Sequence, residues 1–265
     1  MAVDSHIINS RFLIDQFRIS PTDGQVFTLN LKNLKLSRKG PKELGVEFGY
    51  YDDDAEQYLS HEYEGPLSQL LHRIIDDNDY QLSQDERDLI ADFLVVMYAR
   101  NPDILPKTYA KSILAKELNI TITASDIVRI CGNTNLRNLF FDDHCPMIII
   151  NNSSVGFVSS IYGCSITYNK ITGKTCWLLP LTPRLAIQFI NNDDWEKRYN
   201  KIPIGEINEE EAEYVRYFNN QIADSLDSAL SSAIDDSHDI YYLFSNNDVE
   251  LKRLKNKYKK KGKTK

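Results

Sequence analysis

Apolar and polar residues alternate with two different periods along the N-terminal part of the chain. Residues 25–32 (QVFTLNLK) alternate one by one, which is the period of a half-buried β-strand. Residues 54–75 and 83–100 instead repeat apolar positions every three or four residues, which predicts two helices. The second of these helices begins with a capping-box pattern, Ser83 followed by Glu86, and ends before Asn101-Pro102.

The pattern changes after residue 146, where short β-branched and aromatic runs predict several strands. A long helix is expected over residues 208–234, and the run DIYYLF predicts a further strand. The fold class predicted is α+β, with a helical N-terminal half (about residues 1–140) that contains a small strand pair. The C-terminal half (about residues 145–250) is expected to be sheet-rich with one long helix. We expect residues 1–250 to form a single domain and residues 251–265 to be a basic C-terminal tail.

The composition is that of an ordinary globular protein, with 265 residues, 42% of them hydrophobic and 26% charged. No run approaches the ~18 apolar residues of a membrane span, and the first twenty residues lack a signal-peptide pattern. A cytoplasmic location is therefore expected. None of the four cysteines forms a CxxC pair, and neither a P-loop nor GxGxxG nor GxSxG is present. Zinc-ribbon, nucleotide-fold and serine-hydrolase functions have no motif to support them.

The charge is distributed unevenly between the C-terminus and the rest of the chain. Residues 252–265 contain nine Lys+Arg and no acid, whereas residues 1–251 contain 22 Lys+Arg against 38 Asp+Glu. The acidic body does not favour a groove for duplex DNA. The basic tail is compatible with binding to nucleic acid or to anionic lipid, and equally with a solvated, frayed terminus.

Four predicted elements each carry a polar residue where the helical wheel at 100° per residue places the apolar face. Arg100 falls near the centre of the stripe of the second helix, and Asn219 falls within the stripe of the long helix. His6 and Ser10 share a face with apolar residues of the first segment, and Glu64 lies on the shoulder of the stripe of the first helix.

Burial of these groups without partners would cost roughly 1–3 kcal/mol each. We therefore expect them to contact one another. As an active site, Arg100 would hold an anion, while His6 and Glu64 would transfer protons or bind a divalent metal ion. As a structural network, Glu64 and Arg100 would pair to tie two helices together. Both interpretations are compatible with the sequence.

The order of several short motifs resembles domain-of-unknown-function family 4238, whose members are mostly bacterial. Members open with a pattern like HYxPQxYLxxF, and His6 and Leu13 match it, whereas Asn9 and Ser10 replace its Pro and Gln. The other matching motifs follow one another along residues 6–244 in the order found in the family. They are GQVFTLN, EFGYYDDD, a Glu before a Leu-rich run (Glu64), an R-x-P motif (Arg100), a PLTP motif (Pro180–Pro183) and an Asn on the last long helix (Asn219).

One departure from this family concerns a strand that ends in a Ser-Asp-Asn-Pro-like turn. Here the segment is Ile150-Asn151-Asn152-Ser153-Ser154, so the Asp of the family corresponds to Asn152. An amide cannot accept a proton as a general base, and it binds hard cations less well than a carboxylate. If that Asp is functional in the family, this chain works differently or is impaired.

Two functions are compatible with these observations. The first is an intracellular bacterial effector of the toxin or phage-defence type, such as a hydrolase or nuclease, acting on nucleic acid or a phosphorylated small molecule. In it, His6, Glu64 and Arg100 would be catalytic, and Ser10, Asn152 and Asn219 would bind and position the substrate. The second is a non-catalytic interaction or regulatory protein with a protein partner, in which the buried polar network is structural.

Overall fold

The computed structural model describes residues 4–6, 13–44, 46–48, 52–99, 123, 125–126, 128–129, 144–169, 174–191, 204–232 and 241–261. The strands among them are β1 (Asp4–His6), β2 (Val26–Asn30), β3 (Lys35–Lys39), β4 (Val46–Phe48), β5 (His144–Asn151), β6 (Ser159–Ser160), β7 (Ser165–Asn169), β8 (Lys174–Thr182), β9 (Leu185–Asn191), β10 (Ile204–Ile207) and β11 (Tyr242–Ser245).

The α-helices among the described residues lie in two groups along the chain, one before β5 and one after β10. They are α1 (Asp53–Tyr58), α2 (Gly65–Asp76), α3 (Gln84–Ala99), α4 (Ala212–Ser232) and α5 (Val249–Lys261). A π-helix, Leu59–Glu64, joins α1 to α2 without a break, so residues 53–76 form one long helical segment. Short 3₁₀ turns lie at Asp15–Phe17, Pro41–Glu43 and Glu209–Glu211.

The described strands form three sheets. A four-stranded antiparallel sheet has the order β3-β2-β11-β6, and a five-stranded sheet has the order β10-β5-β9-β8-β7. In the five-stranded sheet β10 runs parallel to β5, whereas the other neighbours are antiparallel. The third sheet is the antiparallel pair β1–β4.

The predicted division into a helical N-terminal half and a sheet-rich C-terminal half with one long helix is wrong. The N-terminal strands β2 and β3 form one sheet with β6 and β11, which come from the C-terminal part of the chain. The C-terminal part also contains a second helix, α5, beside the long helix α4. The alternation in residues 25–32 indicates a strand, but periodicity cannot reveal a partner strand more than 200 residues away.

The elements are held together by one hydrophobic core to which residues of both larger sheets and of the helices contribute. Phe17 and Phe244 meet edge to face with ring centroids 5.3 Å apart, and the turn of Phe17 also contacts β8. Tyr98 of α3 meets Trp177 of β8 in the same way at 5.4 Å. Such aromatic pairs contribute about 0.5–1.5 kcal/mol each beyond their burial. They connect the four-stranded sheet and α3 to the five-stranded sheet.

The predicted capping box at the start of α3 is confirmed. The hydroxyl of Ser83 accepts a hydrogen bond from the Glu86 amide at 3.3 Å, and the Glu86 carboxylate accepts one from the Ser83 amide at 2.7 Å. These reciprocal bonds are those of a capping box at the start of α3. Strands β7 and β8 pair antiparallel, and residues 170–173 between them lie outside the described residues.

Residues 252–265, expected as a tail or a frayed terminus, are largely helical. Helix α5 extends to Lys261 and contacts β11 and β2. Its buried residues include Leu251, Leu254 and Tyr258, which are spaced i, i+3, i+7 and so lie on one face. This apolar face anchors a segment whose other faces are strongly basic.

Candidate functional site

The predicted catalytic residues are only partly visible in the structure. His6 is the last residue of β1, where its backbone pairs with Val46, but its side chain lies outside what is described. Ser10 and Arg100 also lie outside the described residues. The clustering of His6, Glu64 and Arg100 therefore stays a prediction.

Glu64 is half-buried and is the last residue of the π-helix. The amide of Gly65 donates to the carbonyl of Ser60, five residues earlier, and Pro66 has no amide to continue the pattern. A Cβ at Gly65 would lie 3.2 Å from that carbonyl oxygen, so the close approach of the wide turn favours glycine. The wide turn changes the angular position of Glu64 relative to an ideal helical wheel.

Asn219 lies in the middle of α4 and is completely buried. Its Oδ1 accepts a hydrogen bond from the Val158 amide at 2.9 Å, and its Nδ2 donates to the Gly156 carbonyl at 3.0 Å. The same Nδ2 donates to Oε1 of Glu250 in α5 at 3.3 Å. The Asn219 amide therefore joins α4 to α5 and to the segment that leads into β6.

The network continues from Glu250 to the surface. Glu250 is 5% exposed, and its Oε1 also accepts a hydrogen bond from Nε of Arg253 at 2.8 Å. Arg253 in turn donates to Oδ1 of Asn220 at 3.0 Å. Sequence reasoning missed Glu250 and Arg253, although the helical spacing of Glu250, Leu254 and Tyr258 would have placed Glu250 on the buried face.

In the turn after β5, the buried side chain is Asn151, whereas the predicted binding residue Asn152 is exposed. Nδ2 of Asn151 donates to the carbonyls of Val155 (2.7 Å) and Pro183 (3.1 Å), and its Oδ1 accepts from the Ser153 hydroxyl at 2.7 Å. The backbone amide of Asn152 donates to the Ile207 carbonyl at 2.8 Å. Asn151 therefore organises this turn, and Asn152 faces solvent.

The same turn is fastened to the start of α4. The Ser154 hydroxyl donates to the carboxylate of Glu209 at 2.6 Å, and the Ser154 amide donates to the other oxygen at 2.5 Å. These two hydrogen bonds hold the pKa of Glu209 below its usual range, and the bond from the Ser154 hydroxyl has the larger effect. Both favour the ionised carboxylate and so connect the turn to Glu209 at neutral pH.

The structure thus brings together three of the segments singled out in the sequence: residues 151–155, Pro180–Pro183 and Asn219. The Pro183 carbonyl accepts hydrogen bonds from the Asn151 side chain and from the Phe157 amide. Asn219 binds the two residues on either side of Phe157 through the Gly156 carbonyl and the Val158 amide. The amides of Asn151 and Asn219 are sealed from solvent and bonded to groups of the chain itself. Such a centre fixes the arrangement of segments and offers no opening for a substrate.

A second polar cluster joins the later turns of α4 and α5. Asp224 accepts hydrogen bonds from the Tyr258 hydroxyl (2.5 Å), from Lys261 (2.9 Å) and from Lys257 (3.1 Å). Asp227 lies 3.6 Å from the same Lys261 amine. Since contacts progress toward the C-terminus of both helices, from Asn219–Glu250 to Asp227–Lys261, α4 and α5 run side by side in the same direction.

In this cluster the hydrogen bonds keep Asp224 ionised and the Tyr258 hydroxyl protonated. Burial alone would raise the pKa of Asp224, but the hydrogen bonds from Tyr258, Lys261 and Lys257 outweigh it and lower that pKa. Burial, together with the bond to Asp224, raises the pKa of the Tyr258 hydroxyl, which stays protonated. At neutral pH the cluster is an ionised carboxylate held by one hydroxyl and two ammonium groups.

Helix α5 carries basic residues on two opposite flanks. We call Arg253, Lys257 and Lys261 the paired flank, because they contact Glu250, Asp224 and Asp227. We call Lys255 and Lys259 the free flank; on the helical wheel they lie opposite the paired flank, with Lys252 beside them. Lys252 forms a local pair with Asp248 at 2.6 Å. Among the described residues, Lys255 and Lys259 have no acidic partner.

Along the strand order β3-β2-β11-β6 of the four-stranded sheet, the free flank of α5 is turned toward the basic edge strand β3. Helix α4 contacts β6, and α5 contacts β11 and β2, so the flank turned away from α4 is the one toward β3. Arg38 of β3 lies over the Phe27 ring at 4.8 Å, and Lys39 lies over the Tyr242 ring at 4.4 Å. Residues 24–43 and 241–261 together contain 12 Lys+Arg and 3 Asp+Glu, against 19 and 35 in the rest of the chain.

The described residues contain no group of three or more His, Cys, Asp and Glu side chains suited to a metal ion. In the same part of the chain, no helix combines the length and the apolar character needed to cross a membrane.

The family comparison agrees with the resemblance seen in the sequence, over a shorter range. The family model of DUF4238, described as a protein of unknown function, matches residues 6–122, which include His6, Ser10, Glu64 and Arg100. The motifs at Asn152, Pro180–Pro183 and Asn219 lie outside the matched range. No curated protein and no solved structure shows detectable similarity to the chain. Over residues 6–122, which are less than half of its length, this chain is similar to the family DUF4238.

Proposed function

We propose that this protein is an interaction protein that binds nucleic acid through the free flank of α5 and the neighbouring strand β3. In this proposal the buried network around Asn219 is structural, and it orients α5 relative to the rest of the molecule. The alternative, a catalytic effector, depends on the contact of His6, Glu64 and Arg100, of which only the Glu64 side chain is described.

The observation that carries the proposal is the separation of the basic residues of α5 into two flanks. The acids of α4 and of the first turn neutralise the paired flank, whereas Lys255 and Lys259 are one helical turn apart and have no described acidic partner. Lysines four residues apart on an ordered helix lie about 6 Å from each other along its axis. This is close to the distance between successive phosphates of a nucleic-acid strand, so both can contact one backbone.

The apolar face of α5 favours nucleic acid over a membrane surface as the partner. Peripheral helices bind membranes by inserting apolar side chains between lipid headgroups. In α5 these side chains, Leu251, Leu254 and Tyr258, are buried against the protein itself. The helix therefore offers charge without an insertable face.

The distribution of charge over the whole chain is consistent with a confined contact area. The net charge is −7, and most of the acidic residues lie outside residues 24–43 and 241–261. The acidic remainder repels a polyanion, so binding would be restricted to the basic surface and would depend steeply on salt.

The test is a titration of a fluorescently labelled single-stranded 20-mer with the full chain, followed by anisotropy between 50 and 200 mM salt. If Lys35 and Lys39, which share one face of β3, and Lys255 and Lys259 each contact a phosphate, log K should fall with log salt with a slope of about −2.8. The double substitution Lys255→Gln and Lys259→Gln should make that slope shallower by about 1.4, since two phosphate contacts are removed.

The matched control is Arg18→Gln with Arg216→Gln, which removes the same charge from two residues outside β3 and α5 whose side chains are 39% and 38% exposed. We expect the control to keep the slope of the unmodified protein. Absence of binding at 50 mM salt, or an equal effect of the two double variants, would contradict the proposal.

A further inference from the structure

The paired flank of α5 holds two lysines at its C-terminal end that could otherwise bind phosphate. Nζ of Lys257 lies 3.1 Å and Nζ of Lys261 lies 2.9 Å from the Asp224 carboxylate, and Lys261 is also 3.6 Å from Asp227. The Lys261 side chain is nevertheless 50% exposed, so its amine is accessible to a ligand in solution. On the helical wheel these ammonium groups lie on the side opposite Lys259, so their release would extend the basic surface around the C-terminal turns of α5.

We infer that Asp224 and Asp227 are resident competitors of the nucleic acid, which occupy Lys257 and Lys261 and so limit the binding site to the free flank. This inference rests on the proposed function and describes how the affinity of that site is limited. A carboxylate and a phosphate diester are both anionic oxygen acceptors, and an ammonium group that is neutralised by one is a weaker partner for the other.

The energetics allow such competition. Exposed ion pairs contribute about 0–1 kcal/mol, and the pair between Asp227 and Lys261 is both long and about half-exposed. A phosphate can therefore displace Asp227 at little cost. Asp224 holds its lysines more firmly, because the Tyr258 hydroxyl positions its carboxylate at 2.5 Å. We thus expect Lys261 to be released more readily than Lys257.

The inference is tested with Asp227→Asn alone and with Asp224→Asn and Asp227→Asn together, in the same anisotropy titration. An asparagine keeps the size of the side chain, and its Oδ1 can still accept the Tyr258 hydrogen bond, so the contact between helices is preserved. Each released lysine should steepen the salt slope by about 0.7 and strengthen binding about five-fold at 0.1 M salt.

A charge-matched control separates competition from a general loss of negative charge. Glu206→Gln with Glu210→Gln also removes two charges, from exposed acids that have no described basic partner. Glu210 and Asp224 are separated by about 20 Å along the helix axis, which exceeds the ~10 Å screening length at 0.1 M salt. The control should leave the slope unchanged.

A second substitution identifies the lysine involved. Addition of Lys261→Gln to Asp227→Asn should abolish the gain of the single variant, because the released ammonium group is then missing. A gain that persists in this double variant, or one equal to that of the Glu206/Glu210 control, would overturn the inference and leave the proposed function standing. Absence of binding by the unmodified chain at low salt would overturn both.

Discussion

The side chain of Asn219 connects segments that are about 60 residues apart along the chain. One amide satisfies a backbone donor, a backbone acceptor and a buried carboxylate, and each of these groups would otherwise be buried without that partner. A buried polar group that loses its partner costs about 1–3 kcal/mol, which is a large fraction of the stability of a typical domain. At the scale of single residues, Asn219 therefore has a structural role.

Replacement of Asn219 by Ala should lower the free energy of unfolding by about 2–4 kcal/mol, because the Val158 amide and the Gly156 carbonyl lose their partner. The measurement is urea unfolding followed by circular dichroism. The neighbouring Asn220→Ala is the matched control, and it should cost less than about 1 kcal/mol, since its side chain is half-buried and accepts one described hydrogen bond from Arg253. Equal effects of the two substitutions would contradict this role.

At the scale of elements, the parallel packing of α4 and α5 determines which basic groups are neutralised. The two helices meet through Asn219–Glu250 near the start of α5 and through Asp224 with Lys257, Tyr258 and Lys261 near its end. The contact depends on the ionised state of Asp224, whose pKa is lower in the folded chain than its ordinary value of 3.8.

The stability contributed by Asp224 should consequently depend on pH. Since the folded-state pKa is lowered, this contribution is complete above about pH 3.8 and is lost as the pH falls through the lower folded-state value. Unfolding of the unmodified chain and of Asp224→Asn, measured from pH 7 to about pH 2, should show a difference that is constant near neutrality and vanishes in acid. A difference that persists at the acid end would argue against an ionised Asp224 in the cluster.

At the scale of the whole molecule, the C-terminal strand β11 completes a sheet that begins near the N-terminus. It lies between β2 and β6, and its residues Leu243 and Phe244 are completely buried. Without β11, residues 27–30 of β2 would lose their backbone partners, and the buried Leu29 would lose its cross-strand neighbour Leu243. The four-stranded sheet is therefore formed only when both ends of the described chain are present.

Removal of residues 241–265 should abolish cooperative thermal unfolding, because β11 and α5 are lost and the edge of β2 is uncovered. Removal of residues 262–265 alone leaves both elements in place and serves as the control. The measurement is circular dichroism during heating. A sharp transition in the shorter chain, at a temperature near that of the control, would show that the sheet does not need β11.

Local features were the most predictable part of this fold. Helical periodicity locates residues 53–76 and α3, and the pair Ser83 and Glu86 marks the start of α3, because these signals involve neighbours within one or two turns. Helical periodicity does not predict the π-helix, because the wide turn depends on the close approach of Gly65 to the Ser60 carbonyl. In the turn after β5, the buried amide is one residue earlier than the one predicted from the family pattern.

The amino-acid sequence by itself determines that the chain contains amphipathic helices and alternating strands, that its charge is concentrated at the C-terminus, and that Asn219 lies on an apolar face. These properties follow from residue type and spacing alone. Only the tertiary structure decides that β11 pairs with β2, that Asn219 contacts Glu250, and that Asp224 neutralises one flank of α5. The physical reason is that these contacts join residues 31 to more than 200 positions apart, and their free energy depends on the simultaneous packing of all the elements between them.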